Sequence, residues 1–137
     1  MEVLELSDDD VESVVALWID SGLTRPWNNP VEDFRRALTG PTSAVLGIKV
    51  DGELVGTVMV GSDGHRGWVY YLCVRAAHQR AGLGSELMRA AEAWLRESGA
   101  VKVQLMVRSE NVSAMNFYER AGYEPSEVTV LARWLSV

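Results

Sequence analysis

The chain has 137 residues, 47% of them hydrophobic and 23% charged, and carries a net charge of −6. That length suits one domain with one sizeable core, and the composition belongs to a globular protein rather than a disordered one. The acidic balance argues against a broad nucleic-acid face, no apolar run is long enough to span a bilayer, and Cys73, His65 and His78 are too few and too poorly spaced to hold zinc.

A single cysteine forms no internal disulfide, and Met1-Glu2-Val3-Leu4-Glu5 is too acidic for a cleaved secretory signal, so a reducing cytoplasm is the expected location. Val3 to Leu6 reads as a short opening strand. Ser7 stands three positions before Asp10, a variant of the capping-box spacing, and Asp8 to Asp10 suit the positive end of a helix. Val11, Val14, Val15 and Trp18 then recur at helical spacing, which predicts a helix from Asp8 to about Asp20, ended by Gly22. Thr24-Arg25-Pro26-Trp27-Asn28-Asn29-Pro30 is a loop by its prolines and asparagines, and Val31 to Leu38 a second short helix.

Ala44 to Val50 and Leu54 to Val60 are strand-like. They meet at Asp51-Gly52, which tolerates the positive φ angles of a type I′ hairpin turn. After the turn from Gly61 to Gly67, Trp68 to Val74 is apolar and aromatic throughout, as expected of a central strand covered on both faces. From Leu83 the spacing becomes helical, with Leu83, Leu87, Ala91, Trp94 and Leu95 on one face and Gly99 as C-cap. Val101, Val103, Leu105 and Val107 alternate as a strand. Asn111 opens and Gly122 closes a helix bearing Ala114, Phe117, Tyr118 and Ala121, and Val128 to Trp134 is predicted as a final strand. The order β-α-α-β-β-β-α-β-α-β predicts an α/β (α+β) fold. Its mixed, mostly antiparallel central sheet is flanked by about four helices in one domain over residues 1–137.

Most chemistry lies after Val74, where a strand ends, a loop with Gly82 and Gly84 follows, and a helix begins at once. Unpaired N–H groups and the helix dipole make such a junction attractive to a phosphate, and glycines let it approach the backbone. Arg75, His78, Arg80 and Arg89 cluster there with only Glu86 opposing them, although on charge alone a solvated basic patch explains that cluster better. No lysine completes a P-loop, and leucine occupies the third glycine position of a dinucleotide fingerprint, so both nucleotide patterns fail.

The loop Gln79-Arg80-Ala81-Gly82-Leu83-Gly84 resembles the Gln/Arg-x-x-Gly-x-Gly/Ala signature of GNAT acetyltransferases. Asn111-Val112-Ser113-Ala114-Met115-Asn116-Phe117-Tyr118, continuing to Gly122-Tyr123, resembles the family's second signature, Asn-x-x-Ala-x-x-x-Tyr-x-x-x-Gly-Phe/Tyr. The resemblance implies an acetyl-CoA-dependent N-acetyltransferase, with acetyl-CoA as co-substrate, no metal, and transfer by direct attack of a primary amine on a small molecule, peptide or protein. An acyl-CoA-binding sensor with little catalysis is the alternative. The resemblance also implies that backbone groups of Leu72, Cys73 and Val74 pair with the pantetheine arm in a gap opened by two splayed strands. Amides from Arg80 to Ser85 would hold the pyrophosphate. Asn111 would touch pantetheine, though it is equally a helix cap.

Tyr118 sits where the family offers a hydroxyl to the leaving sulfur, while its spacing with Ala114 and Phe117 equally suits a core aromatic. Many members carry a glutamate on the strand before the loop, near Tyr71 here, but this chain has no acid between Trp68 and Val74. Asp63 and His65 in the preceding turn are the candidate bases, with water as the alternative. Arg25, Trp27, Asn28 and Tyr71 are the candidate acceptor residues. Cys73 reads as a small core residue and not as a nucleophile. The expected partner is an amine-bearing acceptor, with a homodimer of the chain as a further option, and with no nucleic acid and no membrane.

Overall fold

The computed structural model describes residues 2–136. Two compact units divide at Met106/Val107. In the first, β1 (Val3–Glu5), α1 (Val11–Asp20), α2 (Pro30–Thr39), β2 (Ser43–Val50), β3 (Glu53–Ser62), β4 (Gly67–Val74), α3 (Leu83–Glu97) and β5 (Val103–Leu105) follow in that order. The second unit holds α4 (Val112–Arg120). The sheet order is β1-β2-β3-β4-β5, antiparallel throughout except for the parallel pair β4–β5. The element order is thus the expected one as far as α4.

Local chemistry explains the boundaries. The Ser7 N–H donates to Asp10 Oδ2 at 2.9 Å, and residues Asp8–Asp10 form a 3-10 turn that leads into α1. The second helix starts one residue earlier than its apolar pattern. Asn29 Oδ1 accepts the Glu32 N–H at 3.2 Å, and Pro30 occupies the first helical position, where its missing N–H costs nothing. The β2–β3 turn has Asp51 at φ +51° and Gly52 at φ +79°, the pair of positive angles that a type I′ turn requires.

One core cluster joins α1 and α2 to one region of the sheet through Leu6, Val14, Leu17, Trp18, Phe34, Ala37, Val45 and Leu54. Helix α3 buries Leu83, Leu87, Met88, Ala91 and Leu95. It reaches the sheet closely because two strands carry glycine beneath it. A Cβ on Gly67 would stand 2.8 Å from Leu95 Cδ1, and one on Gly56 3.0 Å from Leu87 Cδ1.

Three expectations need correction. Strand β4 is not covered on both faces: Tyr70 is exposed and residues 71–74 only partly buried. Strand β5 spans three residues rather than seven, with Val101 and Met106 exposed at its flanks. It pairs with β4 only at Gly67↔Val103, Trp68↔Gln104 and Val69↔Leu105, so the second half of β4 lacks a strand on that side in this register. The predicted strand from Val128 to Trp134 does not form. In that segment the side chains of Val128, Val130, Leu131 and Trp134 are exposed, and alternation alone makes no strand without a ladder to join.

Candidate active site

The first unit brings two features together along β4. Pairing with β5 stops at Val69, which leaves the edge from Tyr70 to Val74 free of that strand. At the far end of the same strand lies the phosphate loop. A 3-10 turn (Ala76–His78) carries the chain past Gln79, whose Nε2 donates to the Val74 carbonyl at 3.0 Å and ties the loop to the strand end. Arg80 at φ +69° and Gly82 at φ +80° then reverse the chain into α3.

Gly82 is the N-cap of α3, and its lack of a side chain has a chemical result. Serine, threonine, aspartate or asparagine there would spend its oxygen on the N–H groups of the first turn. In this helix Glu86 N is the first to bond back, to Gly82 O at 3.1 Å, so the amides of Leu83, Gly84 and Ser85 have no partner within the helix. A Cβ on Gly82 would meet nothing within 4 Å, so the approach to these amides is open. Arg80 and Ala81 are exposed beside them. Flanking the loop in sequence, His78 Nδ1 and Glu86 Oε2 are buried without a hydrogen-bond partner among the described residues. The open edge, the unspent amides and the exposed Arg80 fit a pyrophosphate with an extended arm, the shape of coenzyme A, while the Glu86 carboxylate opposes an anion.

The middle of β4 holds a second constellation. Register with β3 steps from Thr57↔Cys73 to Met59↔Tyr70, so Tyr71 and Leu72 both stand opposite Val58 in a β-bulge. Tyr71 adopts φ +53°. Its ring stacks on Trp18, with centroids 3.8 Å apart and planes 10° from parallel, and its hydroxyl donates to Asp33 Oδ2 at 2.7 Å. Burial first, then Asp33, pushes the Tyr71 hydroxyl well above the ordinary tyrosine range, so it remains a donor. Thr57 donates to the Tyr71 carbonyl at 3.0 Å, accepts the Trp18 indole N–H at 2.9 Å, and meets Cys73 Sγ at 3.4 Å. Burial pushes the Cys73 thiol up, which leaves it protonated and inert as a nucleophile.

The other candidate residues fall elsewhere. Asp63 closes its own turn: Oδ1 accepts the N–H groups of His65 and Arg66 at 2.8 and 2.7 Å, and Oδ2 accepts Trp68 Nε1 at 3.3 Å. The Arg66 and His65 backbone bonds hold its carboxyl below the usual range, which makes it a poorer base. Asp63 and His65 also precede β4, whereas the loop follows it. Leu72 lies five residue steps along the strand from Gly67, roughly 16 Å. Arg25 donates to the Gly22 and Thr24 carbonyls at 2.9 and 3.0 Å, and Asn28 N donates to the Arg25 carbonyl at 3.0 Å. Both shape the loop that presents Trp27, which is 57% exposed.

In the second unit, Asn111 Oδ1 accepts the Ala114 N–H at 3.1 Å and caps α4. Tyr118 packs edge-on against Phe117 and Tyr123, at centroid distances of 5.2 and 5.8 Å. Burial pushes its hydroxyl up to about 12. Sequence reasoning missed Asp33, Thr57 and Trp18. Asp33 stood in an amphipathic helix like any surface acid, and nothing local in the sequence announces a contact 38 residues away.

A bulged strand with an open edge, ending in a loop of unspent amides, fits a coenzyme-A-dependent acyltransferase. The chain belongs to the acetyltransferase (GNAT) family, whose model matches residues 8–123. The family gives it acetyl-CoA-dependent N-acetyltransferase activity, with acetyl-CoA as co-substrate. Three solved structures share its fold at low identity. The aminoglycoside N-acetyltransferase AAC(6')-Iy in complex with CoA is 15% identical over 98% of this chain and 95% of that one, with a TM-score of 0.84. A transcriptional regulator from Bacillus halodurans is 20% identical over 97% and 99%, with a TM-score of 0.83. A ribosomal-protein-alanine N-acetyltransferase from Brucella melitensis is 19% identical over 98% and 100%, with a TM-score of 0.78.

Among the described residues no helix is long and apolar enough to cross a membrane, and no group of three or more His, Cys, Asp or Glu residues is arranged to hold a metal ion.

Proposed function

We propose that the chain, acting as one domain, transfers the acetyl group directly to a primary amine on a small molecule, peptide or protein. The observation that carries this is the coincidence on one strand of an edge open beyond Val69 and a terminal loop whose amides are unspent. Acetyl-CoA supplies an activated thioester. Amides from Arg80 to Ser85 hold the pyrophosphate, aided by the Arg80 guanidinium, with Gln79 fixing the loop to Val74. Backbone groups of Leu72, Cys73 and Val74 pair with the pantetheine arm along the free edge. Asn111 adds a side-chain contact to that arm beyond its role as a cap.

Three chemical tasks remain. The N–H of Leu72 or Cys73 stabilises the negative charge that develops on the carbonyl oxygen. The Tyr118 hydroxyl, still protonated at neutral pH, donates a hydrogen bond to the sulfur as the C–S bond breaks. A phenol at about 12 holds its proton more tightly than a thiol at about 8.5, so Tyr118 hydrogen-bonds or relays rather than surrendering its own proton. The amine must attack as the neutral base. Water carries its surplus proton outward, because Asp63 is occupied within its turn and His65 lies at the wrong end of β4.

On the acceptor side, Tyr71 and Asp33 present a hydroxyl–carboxylate pair, and Arg25 and Asn28 shape the loop that exposes Trp27. A carboxylate and an exposed aromatic favour a cationic amine. Fold relatives named for aminoglycoside and ribosomal-protein-alanine acetylation support amine acceptors of both sizes. The free thiol of Cys73 supports a cytoplasmic location, and the net charge of −6 supports a protein without nucleic-acid or membrane partners. The exposed apolar side chains of Val128, Val130, Leu131, Trp134 and Leu135 support a homodimer.

The test is purified protein with acetyl-CoA and a panel of mono- and polyamines, read as free thiol and acetylated product. Acceptor-dependent thiol release matching product one for one is expected. Acetyl-CoA binding without such release over the whole panel would favour the sensor alternative.

A further inference from the structure

We propose that Thr57 is a positioning residue. Its buried hydroxyl, backed by the Trp18 indole, turns the Tyr71–Leu72 peptide so that the Leu72 N–H faces the open edge of β4 and polarises the acetyl carbonyl. This rests on the oxyanion role given to Leu72 above and adds the device that creates it.

Thr57 is fully buried, at 0% exposure, in a core otherwise made of apolar side chains among the described residues. A hydroxyl has one proton and two acceptor sites. The proton goes to the Tyr71 carbonyl, since a carbonyl only accepts. One acceptor site takes the Trp18 N–H, and the contact with Cys73 Sγ is therefore made by the thiol donating. The capacity of Thr57 is filled, and one of its three bonds fixes a peptide plane.

That plane carries the consequence. Among the described residues no peptide bond is cis, so the Tyr71 C=O and the Leu72 N–H point in opposite directions. Thr57 belongs to β3 and draws the carbonyl inward; the N–H is thereby sent away from β3, toward the side where β5 does not reach. The bulge makes this orientation available, and it comes with a left-handed conformation at Tyr71 that a bulky residue resists. Three grips hold Tyr71 there. Trp18 stacks on its ring, Asp33 takes its hydroxyl proton, and Thr57 binds its carbonyl. Only the last acts on the peptide that bears the donor.

The test needs no acceptor. Acetyl-CoA labelled with ¹³C at the thioester carbonyl is bound to the protein, and its carbonyl stretch is compared with that in solution. The wild type is expected to shift the stretch to lower frequency. Thr57→Val, nearly the same shape, loses most of that shift, and Thr57→Ser restores it. Under turnover, Thr57→Val lowers kcat by about tenfold or more, with little change in KM for acetyl-CoA. Should Thr57→Val fail to fold, Trp18→Phe keeps an aromatic ring against Tyr71 and removes the N–H that anchors Thr57, together with one ring of the buried indole. It is expected to weaken the shift.

A full shift retained in folded Thr57→Val, or in Trp18→Phe where the valine variant does not fold, overturns the role of Thr57 alone. Absence of any shift in the wild type overturns the oxyanion role of Leu72 and this proposal with it.

Discussion

Tyrosine hydroxyls behave differently here according to what surrounds them. Tyr118 is raised by burial alone, whereas Tyr71 is raised by burial and then by Asp33. Replacing Tyr118 with phenylalanine removes the hydrogen bond offered to the departing sulfur. We expect kcat to fall by roughly 10- to 100-fold at neutral pH, where the Tyr118 hydroxyl holds its proton. An unchanged kcat and pH profile would remove Tyr118 from the mechanism. Tyr71 makes a stability prediction instead. Its folded value lies above its unfolded one near 10, so its contribution is fully present below pH 10 and fades as pH rises through the folded value. Tyr71→Phe should therefore lower the melting temperature at pH 7 to 9, and the gap to wild type should narrow in strong alkali. The test is thermal unfolding across that range; a gap that widens with pH contradicts the direction assigned.

Between elements, one ion pair ties the start of α1 to β2. Lys49 Nζ donates to Asp10 Oδ1 at 2.7 Å, while the Ser7 N–H holds the other oxygen. Burial pushes the Asp10 carboxyl up, but Lys49 and Ser7 together outweigh it and leave it below the usual range. Its stabilising contribution is thus present above about pH 4 and lost as pH falls through the folded value. Asp10→Asn should cost about 1 kcal/mol at pH 7, or roughly 4 °C in melting temperature, and nothing near pH 2. An equal loss at both pH values would show a packing effect rather than a charge effect. At the phosphate loop, Gly82→Ala meets no steric neighbour, yet its φ of +80° strains any side chain. A raised KM for acetyl-CoA with kcat largely kept is the expected outcome, measured with saturating acceptor.

At the scale of the molecule, what the sequence made legible is what local patterns encode. The type I′ turn at Asp51-Gly52, the stripe of Leu83, Leu87, Ala91 and Leu95, and the Asn111 cap each announce themselves within a few residues. The phosphate loop was legible for the same reason. Asp33, Thr57 and Trp18 were not, because each acts through partners 14 to 39 positions away. The segment from Val128 to Trp134 misled because alternation describes a strand's faces and not its partner. Gly67 also went unnoticed, as one more glycine at the end of a turn. It lies under Leu95, near the end of α3, while Gly56 lies under Leu87, close to the loop. A methyl added at Gly67 crowds the Leu95 side chain, and where that side chain cannot turn aside it lifts the far end of the helix and rocks it over the nearer contact, as a beam tips on a bearing. Coenzyme affinity would then answer to a residue at the opposite end of β4 from the loop that binds the coenzyme, and a titration of Gly67→Ala with CoA would read that leverage directly.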